Sequence, residues 1–491
     1  MRPMNILMVA SEAAPFAKVG GLGDVVSSLA QHLSLLGNDV RVLLPFYSTI
    51  GEEHRKKFRP IPAVFSIHLG EEHFARIWEY VSPEKVCFYF LEYDRYYHRD
   101  RLYDSGGDGF DDNAYRFTFL CRAAIDLPDF LQWTPDIYHV HDWMAALVPV
   151  YLETVARRGR LAKTASVLTI HNLQHQGYAD RSILAYGGLW DSLFRSDQLE
   201  ACGGVNFLKG GIYFANKLST VSRSYAEEIQ WPEGGCGLHG LLRFRSGDLV
   251  GIINGIGEED WNPATDGRIP HGFSAENLEG KAKCKGHFFR EHWKPVAADA
   301  MPLFVVISRL YWQKGLDVLA DILPWVVNGM AVRFAILGSG DASLENHFRF
   351  LGECFRDRIW VRIGYDESLS HLLEAAGDFF AMPSRFEPCG LNQLYSMRYG
   401  TLPIVRATGG LRESVQSYAG GVANGTGFVF QDLTHQSLHD AIGWACATYY
   451  DRPDDIRTMQ RNGMAQDFSW KKSARRYLEL YGWALEKKNN S

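Results

Sequence analysis

The chain has 491 residues, 46% hydrophobic and 22% charged, enough for two or three domains of about 100–200 residues with ample cores. Its 51 Lys and Arg against 57 Asp and Glu leave a net charge of −6, and no basic run stands out, which argues against nucleic acid or a membrane surface as partner. The apolar runs are too short for a membrane span or a signal peptide, and the 8 cysteines fall singly without a CxxC pair, so the composition predicts a soluble, cytoplasmic protein with neither a disulfide scaffold nor a zinc cage.

Short apolar, β-branched runs recur along the chain, separated by helix-length segments. The first set covers 6–9, 40–44, 86–91, 137–140, 166–170, 218–221 and 249–253. The second covers 303–308, 333–337, 359–363, 378–382, 402–405 and 427–430. They lack polar alternation, as expected of strands buried on both faces of parallel sheets. After the first run, Leu22, Val25, Val26, Leu29, Ala30, Leu33 and Leu36 follow helical spacing, and Gly37 stops the helix. Alternation of this kind predicts doubly wound α/β sheets. Thirteen strands are too many for one ordinary sheet, and the Gly, Asn, acid and Pro content of 254–264 marks the break. The expected domains are 1–255, 256–468 and a helical tail, 469–491, returning to the first domain. The expected architecture is two Rossmann-like domains facing a central cleft.

Ligands of such sheets bind beyond the carboxyl ends of the strands. There the first strand is followed by Lys18-Val19-Gly20-Gly21-Leu22-Gly23-Asp24. Glycines before a helix let N–H groups approach a phosphate, with Lys18 as a mobile cation. The spacing is not GxGxxG, which disfavours a dinucleotide oxidoreductase. The plainer reading is a tight turn with Asp24 capping the helix. Arg309 and Lys314 follow the strand at 303–308 and suit a diphosphate, although surface cations are often only solvated. The turn 338–341 is a second glycine turn. His141-Asp142-Trp143 and His171-Asn172 end two further strands. His139, His141, Asp142 and His171 have the look of metal ligands, but the spacing and the absence of a Cys partner favour no metal, with His139 as a satisfied core polar group and His171 as a substrate contact. Glu387 lies in a Pro-rigidified turn before a helix, where a carboxylate can stabilise a cationic sugar centre or merely balance the helix dipole; the N–H groups of Gly390 and Leu391 follow it. Asp104, Asp108, Asp111 and Asp112 miss the calcium-loop spacing and read as a solvated loop.

With KVGGLGDV at 18–25, HVHDW at 139–143, HN at 171–172, SRLYWQKG at 308–315, GYDE at 364–367, PSRFEPCGLNQ at 383–393 and ATGGLRE at 407–413, the chain resembles the bacterial and plant glycogen (starch) synthases over nearly its whole length. The resemblance implies a GT-B fold and transfer of glucose from ADP-glucose to the non-reducing 4-OH of an α-1,4-glucan with retention, without a metal or other cofactor. By the same resemblance, Lys18 contacts the donor, and Gly21 lies in its turn. Arg309 and Lys314 bind the diphosphate, and Tyr365 stacks on adenine. Tyr103 takes the place of a donor-site tyrosine. Glu387 binds the glucosyl unit and is needed for catalysis. Cys389, Gly390 and Leu391 lie near the glucose. His171 contacts its hydroxyls, with Asn172 beside it and Asp142 in the catalytic set. The first domain then takes the acceptor side and the second the nucleotide sugar. Two positions depart from the wider superfamily. Tyr395 stands where many relatives carry a second Glu, so ribose recognition by that carboxylate does not carry over, and Asn392 stands where some have Thr.

Overall fold

The computed structural model describes residues 2–104, 109–294, 300–420 and 424–490; Asp108 lies outside them. Two compact units are present: Met1–Gly255 with Trp470–Ser491, and Ile256–Ser469.

All thirteen apolar runs are strands. In the first unit, seven parallel strands lie in the order Leu249–Gly251, Lys217–Thr220, Ala165–Ile170, Ile137–His141, Asn5–Val9, Asp39–Pro45, Cys87–Glu92. Counted along the chain this is 7-6-5-4-1-2-3, so the winding reverses between Asn5–Val9 and Ile137–His141. The sheet continues through the antiparallel strand Glu71–Val81, which also pairs with Phe65–Leu69 and Arg59–Pro60. These antiparallel strands carry no continuous apolar run because their pattern is different. Phe65, Ile67 and Leu69 point inward while Ser66 and His68 do not, the period-two alternation of a sheet with one wet face.

The second unit holds six parallel strands in the order Ile359–Ile363, Arg333–Gly340, Leu303–Leu310, Phe379–Met382, Leu402–Arg406, Phe428–Phe430. This is 3-2-1-4-5-6, the order of a dinucleotide-type doubly wound sheet. Its winding reverses between Leu303–Leu310 and Phe379–Met382.

The helix Gly21–Leu35 buries Val25, Val26, Leu29, Ala30 and Leu33, and Gly37 beyond it adopts φ +92°. The terminal helix Trp470–Asn489 packs in the core of the first unit through Trp470, Ala474, Tyr477, Tyr481 and Ala484, one stripe at helical spacing. Among the described residues no helix is long and apolar enough to cross a membrane.

Candidate active site

In the first unit the site grows from the ends of three strands. Beyond Asn5–Val9 the chain reaches Glu12, which is buried. One oxygen of Glu12 accepts the N–H of Val19 at 2.7 Å and of Gly20 at 3.2 Å; the other accepts the hydroxyl of Tyr103 at 2.7 Å. Burial pushes this carboxyl above its usual range, and the three donors pull the other way. Lys18 is half-exposed and pairs with Asp24 at 2.8 Å. Asp24 sits in the first turn of the helix, whose N-cap is Gly20; it is therefore a partner of Lys18 and not the cap.

Ile137–His141 delivers Asp142 in a left-handed backbone conformation, φ +55°. Such a conformation costs a non-glycine residue about 1–3 kcal/mol and recurs at functional sites. Its Oδ1 accepts the N–H of His171 at 2.7 Å and of Asn172 at 3.4 Å. Burial raises this carboxyl to about 7, against the pull of those two N–H groups. His171 Nε2 meets His141 Nδ1 at 3.0 Å, and burial holds His171 down at about 3, although the residue is not wholly enclosed. His139 is spent internally, on Thr169 Oγ1 at 2.6 Å and the Tyr481 hydroxyl at 2.8 Å. Burial, then the neighbouring His171, lowers it to about 3. The imidazoles are neutral at physiological pH, and among the described residues no group of three or more His, Cys, Asp and Glu could hold a metal. The turn after His171 closes through Gly177, at φ +66°, where a Cβ would come within 2.2 Å of the Trp143 ring. The Asn172 side chain accepts the N–H of Gln174 at 3.0 Å.

In the second unit the central contact lies where the winding reverses. Lys314 Nζ and Glu387 Oε2 are 2.6 Å apart, and the Ser384 hydroxyl donates to the same oxygen at 3.0 Å. Glu387 is buried, at 6% exposure. The helix that follows begins at Asn392 with Leu391 as its cap, so Glu387 lies outside the first turn and does not balance its dipole. Glycines make the close approach possible. Gly315 is left-handed, and a Cβ there would sit 2.0 Å from the carbonyl oxygen of Pro383. A Cβ on Gly409 or Gly410 would fall 2.0 Å from the Glu387 carbonyl oxygen and 1.9 Å from that of Cys389. The turn at Lys314 is further knitted to the Glu387 turn. Gln313 accepts the N–H of Arg385 at 2.9 Å and donates to the Phe386 carbonyl at 3.2 Å.

Cys389 is buried, and Gly390, at φ +70°, packs on Gln393. Asn392 donates to the Ile307 carbonyl, and Tyr395 stacks on Trp261 with centroids 3.7 Å apart. Arg309 and Tyr365 are the exposed members. Among the described residues Arg309 enters no ion pair, its guanidinium lying 5.6 Å from the Tyr311 ring, and Tyr365 is 77% exposed. Asp104 pairs with Arg101 at 3.4 Å and Asp112 with Arg99, so part of the acidic loop is neutralised by arginine. Sequence reasoning passed over Glu12, Ser384 and the role of Gly409-Gly410. An acid set in the apolar stretch 10–17 just past a strand was the available signal for Glu12.

Residues 5–244 match the family described as "Starch synthase catalytic domain", and residues 301–447 match "Glycosyl transferases group 1". Glycogen synthase 1 of Geobacter metallireducens is 44% identical over 99% of this chain and 97% of its own length. Glycogen synthase of Treponema denticola is 41% identical, covering 99% of each. The catalytic domain of starch synthase IV from Arabidopsis thaliana, solved bound to ADP and acarbose, superposes with a TM-score of 0.90 at 33% identity, over 99% of this chain and 100% of that one. Sucrose-phosphate synthase from Thermosynechococcus elongatus, at 15% identity and a TM-score of 0.60, shares the fold alone.

Two doubly wound sheets with polar groups gathered at their reversal points define a glycosyltransferase of GT-B fold. Within that class, the chain belongs to the glycogen and starch synthase family.

Proposed function

We propose that the protein transfers glucose from ADP-glucose to the non-reducing 4-OH of an α-1,4-glucan with retention of configuration. The observation that carries the reading is the 2.6 Å contact between Lys314 and Glu387 at the reversal point of the second sheet. It sets a cation suited to a departing diphosphate beside a carboxylate suited to a developing sugar cation. The starch synthase structure bound to ADP and acarbose supports the same donor and acceptor classes.

In this mechanism Lys18, Arg309 and Lys314 stabilise the charge on the nucleoside diphosphate as the bond from the sugar C1 breaks. Tyr365 stacks on the adenine. Glu387 faces the cationic sugar, with Cys389 and the N–H groups of Gly390 and Leu391 beside the glucose. His171, neutral and held by Asp142, donates a hydrogen bond to a sugar hydroxyl, with Asn172 next to it. The acceptor 4-OH attacks on the face the phosphate leaves and gives its proton to a phosphate oxygen, which retains configuration without a second carboxylate. The first unit takes the acceptor side and the second the nucleotide sugar. The cytoplasm is the assigned compartment, in keeping with Cys202, Cys236 and Cys354, which are exposed thiols outside any disulfide.

The test is incorporation of labelled glucose into glycogen from ADP-, UDP- and GDP-glucose. ADP-glucose is expected to be the preferred donor. Equal use of UDP-glucose would overturn the donor assignment, and no incorporation from any donor would favour a silent glucan-binding or regulatory protein.

A further inference from the structure

Glu12 is a buried carboxylate at the end of the first strand to which nothing above gives a role. Its hydrogen bonds gather segments far apart in sequence. Val19 and Gly20 belong to the turn that carries Lys18, while Tyr103 lies 91 residues beyond Glu12. The Ser11 hydroxyl, 2.6 Å from that of Tyr103, completes the chain. The turn needs such an anchor. It holds adjacent glycines, whose backbones lose the most freedom on ordering, and its cap position, Gly20, has no side chain to tie it down. Glu12 fixes two consecutive N–H groups of this turn and the phenol of Tyr103 on one carboxylate.

We infer that Glu12 is a positioning residue, holding the Lys18–Gly21 turn and Tyr103 in the arrangement that receives the donor, through its hydrogen bonds and not its charge. The inference rests on the reading that Lys18 and Tyr103 contact the nucleotide sugar. Its chemistry makes a distinctive demand on two substitutions. In Glu12→Gln the amide oxygen accepts from Val19 and Gly20 while one amide N–H donates to Tyr103, whose hydroxyl then turns to Ser11, so each group that Glu12 holds keeps a hydrogen bond to residue 12. In Glu12→Met a side chain of similar length leaves both N–H groups and the phenol without their acceptor.

Glu12→Met is therefore expected to raise KM for ADP-glucose about tenfold or more with kcat within about threefold, while Glu12→Gln stays within about threefold of wild type in both. A role in stability alone predicts a lowered melting point in Glu12→Met with KM unmoved, and that result overturns the inference. Equal impairment of the two variants overturns it too, since charge would then be what matters. Amide hydrogen exchange on the wild-type enzyme is a second readout, needed if Glu12→Met does not fold. Val19 and Gly20 are expected to be protected without ligand and unchanged by ADP; protection that arises only with ADP counts against a pre-set turn. Lys18→Ala separates the two levels: an unmoved donor KM there removes the donor reading itself, whereas a raised KM beside a normal Glu12→Met removes only the role of Glu12.

Discussion

The two units use the same strand logic yet prepare their polar groups in opposite ways. At the reversal point of the first sheet, charge is suppressed by burial: His139 and His171 are held near 3, and Asp142 is raised to about 7. At the reversal point of the second, charge is kept and paired, Lys314 against Glu387 at 2.6 Å. Desolvation makes the two imidazoles neutral hydrogen-bonding groups, suited to sugar hydroxyls, and brings the Asp142 carboxyl to the edge of ionisation near pH 7. The second set is an ion pair in a buried place, and each partner depends on the other. The lesson is that one topology supports a neutral recognition surface or an electrostatic one, and the choice lies in what the loops bring against each strand end.

The largest expected effect breaks the paired side. Glu387→Gln keeps size and much hydrogen bonding but removes the charge facing the sugar cation, so kcat should fall by about 10²-fold or more. Because Lys314 is then released from its partner, affinity for ADP should hold or tighten. The measurement is kcat with glycogen and ADP-glucose beside ADP binding; near-normal turnover would take Glu387 out of the mechanism.

Next come the cations. Losing a charge-assisted hydrogen bond costs roughly 1.5–3 kcal/mol, so Lys314→Ala and Arg309→Ala should each lower kcat/KM by about ten- to hundredfold. They should differ in kind. Lys314 also supports Glu387, so its loss should reduce kcat as well as raise KM. Arg309 is exposed and outside that pair, so its loss should act mainly on KM. Identical kinetic signatures would undo the distinction.

A smaller effect probes the neutral side. The Asp142 carboxyl, raised to about 7, becomes ionised as pH rises through that value. If its charged form holds the His171 turn best, kcat/KM should climb through pH 7 and flatten above it. Asp142→Asn, which keeps an acceptor for the His171 N–H, should erase that limb. Its persistence in the variant would assign the limb to another group.

The smallest effect is on stability. His139 and His171 are neutral in the fold with lowered values, so their contribution is complete above about 6.5 and is lost as pH falls towards 3. Asp142, raised in the fold, has the opposite sign: its contribution is complete below about 4 and lost as pH rises through 7. The imidazole share of the stability therefore falls with acidification below about pH 6.5, and the raised carboxyls Asp142 and Glu12 oppose it. His139→Gln should remove one proton from that slope, about 1.4 kcal/mol per pH unit. An unchanged slope would mean that His139 is not held neutral.

Much of this was legible in the sequence. Buried parallel strands need apolar residues on both faces, so thirteen runs marked thirteen strands. The helix after the first strand declared itself by spacing and by its terminal glycine. The motif residues of the site fall at strand ends, where chain order alone puts them. The antiparallel strands around Glu71–Val81 went unmarked because half-buried strands alternate and do not run apolar. Other features depended on partners distant in sequence. That Lys314 meets Glu387, 73 residues away, that Gly409 and Gly410 are glycines because the carbonyls of Glu387 and Cys389 press against them, and that Glu12 ties a glycine turn to Tyr103 were settled only in three dimensions. Propensity and periodicity act between near neighbours, and so the sequence by itself determined the elements and their approximate ends. Which loop lies against which strand end, and hence whether a titratable group is desolvated or paired, depends on packing between segments remote in the chain. Only the tertiary structure decided that, because burial and ion pairing are properties of the surroundings and not of the residue.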